Sequence, residues 1–323
     1  MGKRIDILDM AKGKQILVVG DVLLDAYDFC YSAHSRPSPE RPDRSVYTAR
    51  RTEKILGGAG NVAANLASLG AHTTLISLCG NDGNYFVVKH LCDEQGIEHT
   101  LIRDETRPTP VKTRLYIDDE YHLRRDDEKI HKVDRETALT IRDAFARKLD
   151  HVDAVIMSDY NKGVFTEDDS QDLINLCRKQ HIPVVVDFKP ENQYYFRNAT
   201  VVAPNLIEAK LIFPDFSERN PLPGMKALHD QLGAENVLVT LGGNGMVVFD
   251  GEGISRVQGR RVDAIDPCGC GDTVRACLTL GLISHLSLAD AADFANYAAS
   301  IVVQKLGTAT LQPNELECWE PVK

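Results

Sequence analysis

The sequence predicts an α/β fold, with a doubly wound, mostly parallel central sheet flanked by helices. An apolar run at residues 14–20 ends in Gly-Asp, as a buried parallel strand does. From residue 73 to residue 102 a strand, a helix and a second strand follow in turn, and this alternation returns between residues 136 and 187. Such a rhythm is typical of parallel strands connected by helices that pack on the sheet.

The same periodicities place the other elements. The predicted strands are 14–20, 73–79, 97–102, 154–157, 183–186, 237–241 and 246–249. The predicted helices are 62–70, 85–95, 136–148, 168–180, 274–282 and 288–306, and a strand runs into a further helix over 201–208. We expect ligands at the edge of the sheet where the carboxyl ends of its parallel strands meet.

Two segments interrupt this rhythm. Residues 35–42 are polar and proline-rich, and suit neither a central strand nor a helix. Residues 111–117 and 121–125 alternate in polarity around an acidic turn, as a hairpin with one exposed face does. We therefore predict a small lid sheet made by excursions at about 28–56 and 108–126 of a single domain that spans 1–323.

The predicted hairpin carries an unusual amount of positive charge for an acidic protein. Its basic residues include Lys112, Arg114 and Arg124. They form either a solvated face or a site that captures a phosphorylated substrate.

Composition excludes some classes of function. A net charge of −10 argues against a general nucleic-acid binder. No segment approaches the roughly 20 apolar residues of a membrane helix, and residues 1–6 lack the start of a signal peptide, so a cytoplasmic protein without a membrane partner is expected.

The eight cysteines are expected to be reduced. Cys268 and Cys270 have no second pair at zinc-ligand spacing.

Residues 266–273, Asp-Pro-Cys-Gly-Cys-Gly-Asp-Thr, form the motif on which the functional interpretation of the other segments depends. Its small residues leave backbone amides accessible before the helix at 274–282, where the helix dipole favours an anion. A carboxylate repels phosphate, so Asp272 suits a general base that takes the proton from an attacking hydroxyl. The alternative is a glycine-rich turn in which Asp272 is an ordinary N-cap.

Two segments suit a ligand site, and one of them suits a sugar. Residues 57–61, Gly-Gly-Ala-Gly-Asn, precede a helix of small residues, and Asn61 can both donate to and accept from hydroxyls. The alternative is a close-packed turn between helix and strand. Asp21 and Asp25 are expected at the carboxyl end of the first strand.

Three further segments suit phosphates, a metal and a nucleotide. Asn205 and Glu208 share one face of a first helical turn, which fits either water-mediated magnesium binding or helix capping. The glycine turn at 240–245 admits a nucleotide, although such turns are common. Lys162 and Lys189 follow strand ends and either reach phosphates or lie at the surface.

In this order and over nearly the full length, these segments resemble the ribokinase-like (PfkB-type) carbohydrate kinase family. The narrower likeness is to the kinases of D-glycero-D-manno-heptose 7-phosphate in lipopolysaccharide inner-core synthesis. It rests on the segments 20–25, 35–40, 158–163 and 305–308. The likeness covers the kinase half alone, and we expect no counterpart of the nucleotidyltransferase domain that those proteins often carry.

The resemblance implies a role for each segment. Asp272 is the expected base, and the backbone of Gly269, Cys270 and Gly271 is the expected anion hole. The sugar hydroxyls are expected to contact Asp21, Asp25, Gly57, Gly58 and Asn61. ATP and Mg²⁺ are expected near Asn205, Glu208, Thr240, Gly242, Gly245 and Asn296, with Glu208 reaching the metal through water. A monovalent cation and a homodimer formed through the lid are also implied.

Two points stay open. For the phosphate that the substrate already carries, the candidate ligands are Lys112, Arg114, Arg124, Lys162 and Lys189. The alternatives to a heptose kinase are a kinase of another sugar and a non-catalytic binding protein that kept the fold.

The motif itself departs from the family. Pro267 and Cys270 replace the usual Thr and Ala. Because Cys270 lies near a helix N-terminus, we expect a lowered thiol pKa and sensitivity to oxidation.

Overall fold

A computed structural model describes residues 11–316. Residues 1–6, on which the signal-peptide prediction rests, and Cys318 lie outside this range. The strands are β1 (Gln15–Gly20), β2 (Val22–Cys30), β3 (Arg36–Pro37), β4 (Ser45–Val46), β5 (Ala49–Gly58), β6 (His72–Gly80), β7 (Glu98–Asp104), β8 (Val111–Ile117), β9 (Glu120–Asp127), β10 (Ala154–Ser158), β11 (Val184–Asp187), β12 (Val201–Val202), β13 (Asn236–Thr240), β14 (Gly245–Phe249) and β15 (Ile254–Gln258). The helices are α1 (Ala59–Ser68), α2 (Gly83–Glu94), α3 (Arg135–Lys148), α4 (Glu167–Lys179), α5 (Leu206–Ile212), α6 (Leu222–Leu232), α7 (Cys270–Ile283) and α8 (Leu288–Val302).

The main sheet confirms the predicted α/β fold. Its strand order within residues 11–316 is β15-β14-β13-β12-β11-β10-β1-β6-β7. All neighbouring strands from β13 to β7 are parallel. The pairs β13–β14 and β14–β15 are antiparallel. The carboxyl ends of β1, β10, β11 and β12 therefore meet at one edge, where the loops that follow them lie side by side.

Side chains of β1 alternate between two cores, one on each face of the sheet. Ile16 and Val18 pack in a cluster that includes residues of α1, α7 and α8. Leu17 and Val19 pack in a second cluster, with residues of α3, α4 and α6. Because helices cover both faces, the strand has no polar side, which explains the uninterrupted apolar run in the sequence.

The second sheet, the lid sheet, has the order β5-β2-β8-β9. The hairpin β8–β9 confirms the predicted one. The first excursion begins earlier than residue 28, because the chain enters β2 directly after Asp21 and pairs there with β5 and β8. Tyr27, Phe29 and Tyr116 make a small core on this sheet.

Two helix boundaries differ from the prediction by four residues, more than the other helix boundaries do. Helix α7 begins at Cys270 rather than 274, because Gly269 adopts φ +78° and serves as the N-cap. Asp272 is thus the third helical residue, and the alternative that made it the N-cap is wrong. Helix α8 ends at Val302 rather than 306, and the chain then turns so that the Gly307 amide donates to Asp266 at 3.0 Å. No helix within residues 11–316 has the length and hydropathy to cross a membrane.

Gly163, in the loop that follows β10, provides a test of this packing. Its φ is +101°, and a Cβ there would overlap the carbonyl oxygen of His131. Gly70 has a similar φ of +96° with open space around it. We expect Gly70→Ala to lose about 1 kcal/mol of unfolding free energy from backbone strain alone, and Gly163→Ala to lose about 1–3 kcal/mol more from the overlap. Urea unfolding measures both, and equal losses would contradict this account of the loop.

Candidate active site

Asp272 lies in the first turn of α7 and is 3% exposed. Its Oδ1 accepts a hydrogen bond from the Tyr160 hydroxyl at 2.7 Å, and its Oδ2 accepts one from Nδ2 of Asn61 at 2.8 Å. Burial raises the pKa of Asp272 to about 6, and the two hydrogen bonds oppose that rise. At neutral pH the side chain is therefore an ionised base whose pKa is close enough to 7 for efficient proton transfer.

The start of α7 leaves backbone amides available beside this carboxylate. The amides of Gly269 and Gly271 donate to no acceptor within residues 11–316, whereas the Cys270 amide donates to the Pro267 carbonyl at 3.3 Å. Asp266 holds the loop in place, because its Oδ1 accepts from the Cys268 amide at 2.9 Å. The arrangement fits the predicted anion hole, with two of the three amides free for it.

Asp21 follows β1 and organises the loop after β10. Its carboxylate accepts hydrogen bonds from three backbone amides, those of Tyr160 at 2.8 Å, Lys162 at 3.0 Å and Val164 at 3.2 Å. Burial raises the pKa of Asp21, and these three amides lower it. The observed role of Asp21 is to fix this loop, and its contact with a sugar stays a prediction.

Asp25 does not lie at the carboxyl end of β1, because the chain has already entered the lid sheet at β2. Its Oδ1 accepts from Nη1 of Arg114 at 2.5 Å and its Oδ2 from the Thr308 hydroxyl at 2.9 Å. A Cβ at Gly57 would overlap Asp25 and Leu23, which explains the glycine there. Asp25 thus ties the lid sheet to the segment that follows α8.

Gly58 and Asn61, at the start of α1, pack closely against Asp21, Tyr160 and Asp272. A Cβ at Gly58 would lie 2.5 Å from the Asp21 carbonyl oxygen and 3.3 Å from the Tyr160 ring. Asn61 Oδ1 accepts from Asn65 at 3.1 Å while its Nδ2 donates to Asp272. The close-packed turn, the alternative reading of residues 57–61, is therefore present, and it brings these residues against the base.

Arg275, one turn along α7, places a buried cation beside the anion hole. Its Nη2 donates to Oδ1 of Asp187 at 2.6 Å and to the Ala203 carbonyl at 2.8 Å. A Cβ at Gly271 would overlap its Nη1. Burial by itself lowers the pKa of Arg275, but the neighbouring carboxylates, with Asp187 foremost, hold it above the usual value.

Sequence reasoning gave no role to Tyr160, Asp187 or Arg275. A signal existed for Arg275, since it is the one charged residue in the run 274–282. Tyr160 stood inside the segment 158–163 that carried the family resemblance, but its hydroxyl contact depends on a loop geometry that the sequence does not specify.

Each basic residue proposed for the substrate phosphate has a carboxylate partner in the structure. Nζ of Lys162 lies 2.8 Å from Glu128, and Nζ of Lys189 lies 2.6 Å from Glu208. The other pairs are Lys112 with Asp126 at 2.9 Å, Arg124 with Asp126 at 2.8 Å and Arg114 with Asp25 at 2.5 Å. An anion at these cations has to replace or share a carboxylate, so their role in phosphate binding stays a prediction.

Asn205 and Glu208 form a capping box at the start of α5. Asn205 Oδ1 accepts from the Glu208 amide at 3.0 Å, and Glu208 Oε2 accepts from the Asn205 amide at 2.9 Å. Oε1 of Glu208 is paired with Lys189. No cluster of three metal-binding side chains occurs within residues 11–316. Each oxygen of Glu208 keeps a lone pair for a metal-bound water, which is compatible with Mg²⁺ held through water, and this role of Glu208 stays a prediction.

A cavity of about 510 Å³ lies between the β13–β14 turn and the helices α7 and α8. Its lining includes Thr240, Gly242, Gly245, Cys270, Gly271 and Asn296, all predicted from the sequence for ATP or the anion hole. Asn296 is held by a hydrogen bond of 2.9 Å to the Gln258 carbonyl. A larger surface cleft of about 770 Å³, near Arg142 and Lys179, contains none of the predicted site residues. The smaller cavity is therefore the candidate nucleotide site.

The predicted lowering of the Cys270 pKa is wrong. Burial, followed by the charges of Asp266 and Asp272, raises the pKa of Cys270 to about 12. Burial and a hydrogen bond with Asp266 raise the pKa of Cys268 to about 12 as well. The proximity of a helix N-terminus is outweighed because the half-buried Cys270 residue packs against the core and lies near two carboxylates.

Both thiols are accordingly expected to be unreactive. A pKa of about 12 leaves them protonated at pH 8, and their reactivity should rise only as the pH approaches 12. We expect iodoacetamide at pH 8 to label Cys268 and Cys270 at least about a hundredfold more slowly than free N-acetylcysteine. Mass spectrometry of the labelled peptides measures this. Labelling of either residue at the rate of the free thiol would contradict the assignment.

Comparisons with known proteins identify the family of this chain. A model of the pfkB family carbohydrate kinases matches residues 14–315. The bifunctional protein HldE of a Nitratiruptor species is 36% identical over 95% of this chain, and HldE of Helicobacter pylori is 34% identical over 94%. The chain spans 65% of the length of each of these two relatives.

Solved structures share the fold. Phosphofructokinase-2 from Escherichia coli in complex with potassium has a TM-score of 0.77 at 19% identity, covering 94% of this chain and 97% of that one. Ribokinase from Thermotoga maritima has a TM-score of 0.70 at 19% identity, covering 94% and 98%. The match over residues 14–315 is decisive for the family. This chain belongs to the PfkB family of carbohydrate kinases, enzymes that transfer a phosphoryl group to a sugar hydroxyl.

Proposed function

We propose that this kinase uses ATP to phosphorylate the anomeric hydroxyl of D-glycero-D-manno-heptose 7-phosphate, which gives the 1,7-bisphosphate. One observation carries the chemistry: a buried carboxylate, Asp272, lies between the sugar-side loops and the candidate nucleotide cavity. The choice of heptose is supported by the HldE relatives and by the segments that resemble heptose kinases. Their second domain lies outside this proposal.

Asp272 acts as the general base. Each of its oxygens accepts one hydrogen bond in the structure and keeps a lone pair for the proton of the sugar hydroxyl. The hydroxyl oxygen forms a bond to the γ-phosphorus while the bond from that phosphorus to the β–γ bridging oxygen breaks. The proton passes to Asp272, and ADP carries away the electron pair of the broken bond.

The start of α7 stabilises the charge on the transferring group. The amides of Gly269 and Gly271, which have no acceptor within residues 11–316, lie at the start of α7, where the helix dipole adds positive potential. Arg275 supplies a fixed positive charge against Gly271. Mg²⁺, when bound beside Glu208, supplies charge neutralisation of the ATP phosphates.

The lid sheet supplies the sugar-phosphate end of the site and the subunit contact. Lys112 and Lys162 both lie near the carboxylate of Glu128. One phosphate that binds there can therefore pair with both ammonium groups at once. Strand β9 is exposed along its length and forms the edge of the lid sheet. Pairing of two such edges would make the homodimer.

A substrate panel tests the proposal. Because the basic lid residues favour an anion, we expect kcat/KM for heptose 7-phosphate to exceed that for unphosphorylated heptose and ribose by at least about a hundredfold. Because the proposed site is built for the heptose, we expect fructose 6-phosphate to be the poorer of the two sugar phosphates. ADP release in a coupled assay measures each rate, with reactions lacking sugar as the control. If fructose 6-phosphate or an unphosphorylated sugar is preferred, heptose 7-phosphate is not the substrate. If no sugar of the panel supports ADP release, the kinase proposal is refuted.

A further inference from the structure

We propose that Tyr160 is a positioning residue for proton transfer, which holds the carboxylate of Asp272 in one orientation and keeps it ionised. The proposal rests on the function proposed above, in which Asp272 is the base. Tyr160 lies in the loop between β10 and α4, and its hydroxyl reaches Asp272 in the first turn of α7.

The two oxygens of Asp272 are held from two different elements. Tyr160 donates to Oδ1 at 2.7 Å, and Asn61 of α1 donates to Oδ2 at 2.8 Å. One donor on each oxygen fixes the rotation of the carboxylate about its terminal bond. A base whose orientation is fixed before the substrate enters loses no rotational freedom when the proton moves.

Tyr160 is itself fixed at its backbone and at its ring. Its amide donates to Oδ2 of Asp21 at 2.8 Å, and Asp21 also holds the amides of Lys162 and Val164. The ring lies against Gly58 on one side, and Nζ of Lys189 lies 5.2 Å from the ring centroid. The hydroxyl therefore has a defined position that is set by the sugar-side residues Asp21 and Gly58.

The charges around Asp272 make this donor important. Asp187, at the end of β11, disfavours the ionised form of Asp272, and Arg275 of α7 favours it. Cys270, two residues back, is a protonated thiol. Tyr160 and Asn61 are the groups that donate hydrogen bonds to the carboxylate within residues 11–316. Loss of one of two donors in a buried site raises the pKa of the acid.

A tyrosine is suited to this role because it remains a donor at every relevant pH. Burial, together with the charges of Asp272 and Asp187, raises the pKa of Tyr160 well above its usual value. The phenol therefore cannot take the substrate proton in place of Asp272. Phenylalanine keeps the ring and its packing and removes only the donor.

The pH dependence of kcat separates positioning from a packing role. For the unaltered enzyme we expect an acid limb near pH 6. In Tyr160→Phe that limb should move upward by about one pH unit, because a hydrogen bond to a charged group is lost. The loss of kcat should then be about tenfold at pH 5 and much smaller at pH 8. Tyr194→Phe, which removes a hydroxyl from a half-exposed tyrosine in another loop, should leave the profile unchanged.

The outcomes decide between the proposals. An acid limb in Tyr160→Phe that coincides with that of the unaltered enzyme overturns the positioning role, and so does an equal loss of kcat at every pH. Far-ultraviolet circular dichroism and thermal unfolding establish that the variant is folded. If the unaltered enzyme transfers phosphate to no sugar of the panel, the proposed function fails before the variant is considered, so the two failures are distinguishable.

Discussion

The carboxylate of Asp272 is an ion removed from water, and the surrounding structure provides the donors that make this burial tolerable. An unpaired buried carboxylate costs several kcal/mol or becomes protonated. Asn61 and Tyr160 come from separate elements, so α1, α7 and the loop after β10 have to meet at one point. Asp21 secures that loop through three amides. The parallel sheet is what brings the strand ends, and hence these groups, to one edge.

The same edge separates two kinds of chemistry. On one side Asp21, Gly58 and Asn61 surround the base with small or hydrogen-bonding groups. On the other side Cys270 and Gly271, at the start of α7, line the candidate nucleotide cavity, with the buried Arg275 behind Gly271. Asp187 pairs with Arg275 and holds the guanidinium in place. In the proposed mechanism, the backbone amides at the start of α7 and the fixed cation of Arg275 would stabilise the phosphoryl group during its transfer.

Periodicity predicted most of the fold. The apolar run of β1 indicated a strand buried on both faces, and alternation in the β8–β9 hairpin indicated an exposed one. Asp272 could also be singled out from the sequence, because a carboxylate beside a glycine-rich helix start has few chemical uses. The start of α7 was placed four residues late because Gly269 resets the backbone through a positive φ, which composition alone does not reveal.

Contacts between residues that are far apart in the chain could not be predicted from the sequence. Tyr160 and Asp272 are 112 residues apart, and Arg275 and Asp187 are 88 apart. The carboxylate partners of the basic lid residues depend on the register of β8 and β9. The pKa of Cys270 was misjudged because the helix terminus was visible in the sequence while the burial of the thiol was not.

The most direct measurement of the central claim compares two asparagine variants at matched helix positions. Asp272 is the third residue of α7, and Asp290 is the third residue of α8, outside the cavity lining. For Asp272→Asn we expect a loss of kcat of about a hundredfold or more, on the scale of a lost general base. Calorimetry should detect nearly unchanged binding of ATP and heptose 7-phosphate, and Asp290→Asn should turn over normally. Turnover of Asp272→Asn within a few-fold of the unaltered enzyme would contradict the account.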